Sequence, residues 1–198
     1  IEIIQKAAAL HDIGKIGIRD AVLQKEGKLT PEEYQHIQEH VEITHNILEK
    51  IHMSSDFKMI TEIACSHHEK YDGSGYYRHL KGDDIPFGGR ILAVADVFDA
   101  ITSKRHYRDK MPMKNVISIL IKNSGTHFAP NIINAFLCIS CDKIVEVLLS
   151  ENNNILLKKH KNILSKYNLY EFYDILNIED NSLDSNQKEF LKTFNKLY

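Results

Sequence analysis

Histidine and aspartate recur in this sequence where a helical core calls for apolar side chains. His11 falls on the stripe formed by Ile4, Ala7 and Ala8 and is followed directly by Asp12. His67 shares a face with Ile60, Ile63 and Ala64 and is followed by His68, and His40 lies beside a seam of Ile37, Val41 and Thr44. The segment Ile91–Ile101 is apolar nearly all round, the mark of a buried helix, yet it carries Asp96 and Asp99 three residues apart on one face. Burying a carboxylate is costly unless something compensates, and a cation is the usual compensation for a group that only accepts hydrogen bonds.

A single core histidine is ordinarily satisfied by a hydrogen bond, and a single buried aspartate by an arginine. On core faces of several helices at once, these residues predict a metal site built between facing helices. Imidazole and carboxylate without thiolate suit Fe, Mn or Zn. The pairs His11-Asp12 and His67-His68, with His40 and Asp96 beside them, offer more ligands than one tetrahedral ion takes, which predicts two ions sharing a carboxylate. Two ions a few ångströms apart can clamp a phosphate and activate water between them.

The elements that must position these groups read almost entirely as helix. The first helix stops near Gly14, and the stretch from Lys15 to Leu29 reads as loop. Thr30-Pro31-Glu32-Glu33 is a helix start with a capping threonine, proline in the first turn and the glutamate of a capping box. The helix it opens has its seam at Tyr34, Ile37, Val41, Thr44, Leu48 and Ile51. A third helix is predicted over 56–68, a turn-rich loop over 69–88, a fourth helix over 90–103, and shorter ones over 114–122 and after Pro130. Beyond Asp142 the composition shifts to Asn, Lys, Leu and Ile, with a linker at Glu151–Asn154 and helical patches over 155–167, 169–177 and 184–197. No chemistry is legible in that extension.

The bulk properties exclude several classes. A net charge of -2 argues against a polymeric nucleic acid or an anionic membrane as the partner. No apolar run reaches the length of a membrane span. Three cysteines without framework spacing read as reduced thiols of a cytoplasmic protein, and Cys138-x-x-Cys141 alone is a weak motif.

The motifs also resemble a family. His11-Asp12-Ile13-Gly14-Lys15-Ile16-Gly17 is similar to the signature of HD-domain phosphohydrolases. His67-His68-Glu69-Lys70-Tyr71-Asp72-Gly73-Ser74-Gly75-Tyr76 resembles the segment that defines the HD-GYP subfamily, as do Arg90–Ser103 with Arg105, Tyr107 and Arg108, and Gly125–Pro130. The resemblance covers residues 1–141 and leaves 142–198 as a helical extension. It implies an all-α helical bundle with two or three divalent metal ions, Fe or Mn foremost and Zn compatible, that hydrolyses cyclic di-GMP to a linear dinucleotide or GMP.

By the same resemblance, His11, Asp12 and Asp96 are ligands of one ion and His40, His67 and His68 of a second, with Asp12 bridging. Lys15, Arg105 and Arg108 hold substrate phosphates, and Asp99 orients a ligand or a water. Diguanylate cyclase (GGDEF) domains and a second copy of the chain are the protein partners it admits. Two departures stand out. The subfamily's Gly-Tyr-Pro reads Gly75-Tyr76-Tyr77, and residues 1–10 lack the histidine with which the HD pattern begins. The start at Ile1, inside an apolar periodic segment, is read as that of an excerpt. Two alternatives remain beside the dinucleotide phosphodiesterase: an HD hydrolase acting on another nucleotide, and a catalytically weak receptor or docking module.

Overall fold

A computed structural model describes residues 1–51, 55–103, 110–150 and 154–198. Among these the fold is all-α, with eleven α-helices and no strand. No helix among the described residues is long and apolar enough to cross a membrane. The chain forms two compact units, residues 1–100 with 123–130, and residues 101–122 with 131–198.

The first unit begins with α1 (Glu2–Leu10), which the chain leaves through a 3₁₀ turn at Ile13–Gly17. A short α2 (Asp20–Leu23) follows where loop was expected. Ile18 and Val22, four apart, are both buried, and that brief stripe is what the loop reading missed. The long α3 (Pro31–Glu49) starts as its sequence predicts: Thr30 accepts from the Glu33 backbone N–H and Glu33 accepts from that of Thr30. Its buried seam is His40, Val41, Thr44 and Leu48, while Tyr34 and Ile51 at the ends are exposed.

The next helix, α4 (Ser55–Ala64), stops four residues before His68 rather than running through it. The Ser66 hydroxyl bonds back to the Glu62 carbonyl, and the Ser66 amide takes the carbonyl of Ile63, three residues back. Such competition with the helix ladder tightens a last turn. The loop that follows leads to α5 (Phe87–Thr102). A Cβ at Gly88 would lie 2.6 Å from the Ile63 side chain and one at Gly89 2.7 Å from Ser66, so these two glycines let α5 approach α4. Ala7, Leu48, Ile60, Ile63, Ala64 and Leu92 form the core joining α1, α3, α4 and α5. Leu48 is wholly buried there, and its truncation to alanine should cost about 2–5 kcal/mol.

The second unit contains α6 (Met113–Lys122), α7 (Pro130–Leu137), α8 (Cys141–Ser150), α9 (Lys158–Leu164), α10 (Leu169–Ile175) and α11 (Ser185–Leu197). Capping boxes at Asn168/Glu171 and Asp184/Gln187 start its last two helices. Phe172, Phe190 and Phe194 pack ring on ring in its interior. Cys141 is buried, which pushes its thiol up to about 12, and Cys138 is exposed and free. That pair is two unrelated thiols.

Candidate metal centre

Four histidines and two aspartates converge in the first unit. His11 is the residue just past the end of α1, and Asp12 opens the 3₁₀ turn behind it. This turn lies directly on α3. A Cβ at Gly14 would come within 2.0 Å of the His40 carbonyl oxygen, so only glycine permits the approach. The Thr44 hydroxyl then accepts from the Gly14 amide at 3.0 Å and donates to the His11 carbonyl at 3.1 Å. Gly14 therefore does more than end a helix: it brings Asp12 against His40.

Three of the histidines are held in one way. The Nδ1–H of His11 donates to the Ala8 carbonyl, that of His40 to Ile37 and that of His67 to Ala64, each at 2.6 Å and three residues back. A carbonyl can only accept, so Nδ1 carries a proton in each; Nε2 of His40 and His67 then presents a lone pair, whereas Nε2 of His11 faces two carboxylates that favour a second proton there. Those Nε2 atoms face the centre. That of His40 lies 3.5 Å from that of His67, 3.4 Å from Asp12 Oδ1, and His67 Nε2 lies 3.9 Å from the same oxygen. His11 Nε2 lies 3.3 Å from Asp12 Oδ2 and 3.7 Å from Asp96 Oδ1.

Asp12 Oδ1 is buried and has no hydrogen-bond partner among the described residues. Its neighbours are ring nitrogens with no proton to give. Acceptors crowded on acceptors are what a cation site requires, so the donor set fits divalent metal. Among the described residues two groups have donor atoms mutually within 4.8 Å: His40 with His67 and His68, and His11 with Asp12 and His67. His67 belongs to both, and Asp12 turns one oxygen to each.

The electrostatics follow from burial and from these carboxylates. Burial opposes charge on His11, but Asp12 and Asp96 outweigh it and raise its pKa to about 10. Burial likewise opposes charge on Asp12, where His11 and Lys15 prevail and hold the carboxyl well below its usual range. Asp96 is lowered in the same manner, through His11. For His40 and His67 burial wins, and His67 falls to about 4. His68 falls further, to about 2, through burial and the neighbouring imidazoles.

The remaining expected residues divide. Lys15 lies at the rim with its ammonium on Asp12 Oδ2 at 2.5 Å. Asp96 is half-buried beside His11. Asp99 is exposed and stands on the same side of α5 as exposed Ala95, four residues earlier, while Leu92, Ala93, Val94 and Phe98 fill the core. The apolar run of α5 thus buries neither aspartate fully. Arg105 and Arg108 lie outside the described residues, as do His52, His106, Tyr107 and residues 151–153 of the linker.

Glu69 belongs to the site although it interrupts no apolar pattern. It is buried, and its carboxylate accepts the backbone N–H of Arg78 at 2.7 Å and of Leu80 at 3.1 Å. The only sequence signal is a charged residue wedged between a histidine pair and a turn-rich loop. His127 serves through its backbone: its carbonyl and that of Thr126 accept the amides of Tyr71 and Asp72.

Comparison with known proteins bears on this centre directly. Residues 2–132 match the HD domain family. The chain belongs to that family. This HD domain is 46% identical to a cyclic di-GMP phosphodiesterase of Thermotoga maritima over 134 residues, which is 68% of this chain and 36% of that protein. It is 46% identical over 137 residues to a probable cyclic di-GMP phosphodiesterase of Vibrio cholerae, 67% of this chain and 31% of the relative. A 3'3'-cGAMP-specific phosphodiesterase of the same organism is 43% identical over 136 residues, 69% of this chain and 26% of the relative. The HD-GYP membership that its motifs imply agrees with these relatives. The chain spans about a third of the length of such relatives.

Proposed function

We propose that this HD domain is a metal-dependent phosphodiesterase that opens cyclic di-GMP to a linear dinucleotide or GMP. The observation that carries the reading is the carboxylate of Asp12, with Oδ1 turned to His40 and His67 and Oδ2 to His11. One aspartate with separate oxygens toward two sets of imidazoles is the arrangement a pair of ions would take up. The relatives, by their names, act on cyclic dinucleotides.

In this reading His11, Asp12 and Asp96 hold one divalent ion and His40, His67 and His68 another, Fe or Mn foremost and Zn compatible. Bound ions would supply Lewis acidity toward the phosphodiester and toward water. The chain's residues set the stage for that chemistry. The three Nδ1–H···O=C bonds fix tautomer and ring direction in advance. His11 would hold an ion only as the neutral imidazole. Lys15, whose ammonium lies on Asp12 Oδ2 at the rim, is placed to engage a substrate phosphate. Arg105 and Arg108 are assigned phosphate oxygens, which arginine engages in bidentate fashion. Asp99, exposed on α5, is left to orient water. The catalytic domain is drawn over 1–141, the extension 142–198 carries no catalytic group, and cytoplasmic location, GGDEF partners and a homodimer belong to the same proposal.

Turnover of cyclic di-GMP by the metal-loaded chain, with Asp12→Ala as control, tests this. Linear dinucleotide formed by the parent and not by the variant is expected. Binding of the nucleotide with no product would overturn the enzyme reading and leave a receptor. A second substrate has specific support in the 3'3'-cGAMP relative, so the same assay on 3'3'-cGAMP ranks the two.

A further inference from the structure

The fourth histidine of the centre is held differently from the other three. His11, His40 and His67 each donate Nδ1–H to a carbonyl three residues back. Among the described residues His68 makes no such bond. Its ring is instead bounded by other rings: His67 at 4.0 Å, His40 edge-on at 5.1 Å, and Tyr76 stacked upon it at 4.7 Å and 26°. The histidines are themselves metal-ligand candidates, so among the described ring neighbours the phenol is the one that can act as a fixed wall.

Tyr76 is fixed from several directions. Its amide donates to the His68 carbonyl at 3.2 Å. A Cβ at the preceding Gly75 would lie 2.3 Å from the Lys70 amide nitrogen and 2.6 Å from the His68 carbonyl oxygen, so the loop folds back on its own start at a distance only glycine allows. Beyond Tyr76, the buried Glu69 carboxylate takes the amides of Arg78 and Leu80. The Arg78 guanidinium returns to α4, bonding Glu62 at 2.6 Å and the Ser66 hydroxyl at 3.0 Å.

We propose that Tyr76 is the positioning residue for His68, doing by ring stacking what a backbone carbonyl does for the other three histidines, and that Glu69 and Arg78 form the clasp that holds it there. This rests on the reading of the centre as a metal site. Groups that orient a metal ligand from behind commonly change metal affinity 10–100-fold when removed. Here the effect falls on one ion only, because His68 belongs to only one of the two ligand groups.

Competition of the chain with a chromophoric chelator for Zn²⁺ resolves the binding steps. Tyr76→Leu removes the ring face, Tyr76→Phe keeps it and removes the hydroxyl, and Glu69→Gln keeps the shape while turning one acceptor into a donor. In Tyr76→Leu one step should weaken by about 10–100-fold with the other within about twofold, and Tyr76→Phe should retain both. Glu69→Gln should weaken the same step as Tyr76→Leu, and it carries the test if the leucine variant does not fold. Both steps unchanged in Tyr76→Leu, or in Glu69→Gln when that variant stands in, would overturn the positioning role. Equal weakening of both steps would also overturn it, as general loosening of the domain. A parent chain that binds no Zn²⁺ would overturn the metal reading beneath it, a result distinct from either.

Discussion

The Nε2 atoms of His40 and His67 face one another at 3.5 Å, and neither can donate to the other, because each ring commits its Nδ1 proton to a backbone carbonyl. Asp12 Oδ1 closes the triangle at 3.4 and 3.9 Å and is itself without a donor. Three acceptors thus share a small space, inside a domain that buries His40 and His67. The packing that brings them together must be strong enough to hold that repulsion until a cation relieves it.

Gly14 is where that packing is tightest. Gly14→Ala would place a methyl 2.0 Å from the His40 carbonyl, a backbone atom that cannot swing aside. Overpacking of this kind costs about 1–3 kcal/mol or more, and a thermal melt should show it clearly. Gly125→Ala is the comparison: its Cβ meets nothing within 4 Å, and only the positive φ of 84° is penalised, at about 1–2 kcal/mol. Equal melting temperatures for Gly14→Ala and the parent would mean that α3 and the turn bearing Asp12 are not packed as described.

Stability of the metal-free chain should pass through a maximum near pH 6.5. His11 has a folded-state pKa raised to about 10 from 6.5, so its contribution is complete below 6.5 and is lost as pH rises through 10. His67 is lowered to about 4, and its contribution is complete above 6.5 and lost as pH falls toward 4. His40 and the carboxyls of Asp12 and Asp96, all lowered, add to the loss on the acid side. Denaturant melts across pH 4–10 check the shape, and a flat profile contradicts it.

The same titration predicts proton release. At pH 7.5 His11 is protonated in the metal-free chain, and a metal ligand must be neutral. Binding of divalent ion should therefore release about one proton per chain, read by calorimetry in buffers of differing ionisation enthalpy. No release at that pH would remove His11 from the ligand set.

Tyr77 should not accept the proline that its position carries in the Gly-Tyr-Pro pattern. Its φ is +90°, and proline is locked near −65°. Tyr77→Pro is expected to destabilise the chain by more than about 1 kcal/mol, and Tyr77→Gly to be tolerated. A proline variant as stable as the parent would show that the loop can follow another path.

How much of this was legible in the sequence varies with the physics involved. The cap at Thr30 and the seam of α3 depend on neighbours three and four residues apart, and both were readable. The convergence of His11, His40, His67 and Asp12 was readable because each breaks an apolar pattern that otherwise holds. Glu69 breaks no pattern, and its role lies in two amides of a loop whose path no periodicity encodes. Gly14 looked like a helix stop because close approach to α3 is a tertiary fact. The end of α4 was placed too late, since Ser66 competes for the last carbonyls only once the turn has formed. Asp99 looked buried because the run around it is apolar, although Ala95 and Asp99 form the exposed edge of α5.

Elemental analysis of the purified chain after dialysis against excess divalent ion tests the metal centre most directly. About two ions per chain are expected for the parent, about one for His67→Ala or His68→Ala, which are assigned to the ion of His40, and none retained by Asp12→Ala, whose two oxygens face both sets of histidines. A parent chain that retains no ion, or an His67→Ala variant that retains as many as the parent, would contradict it.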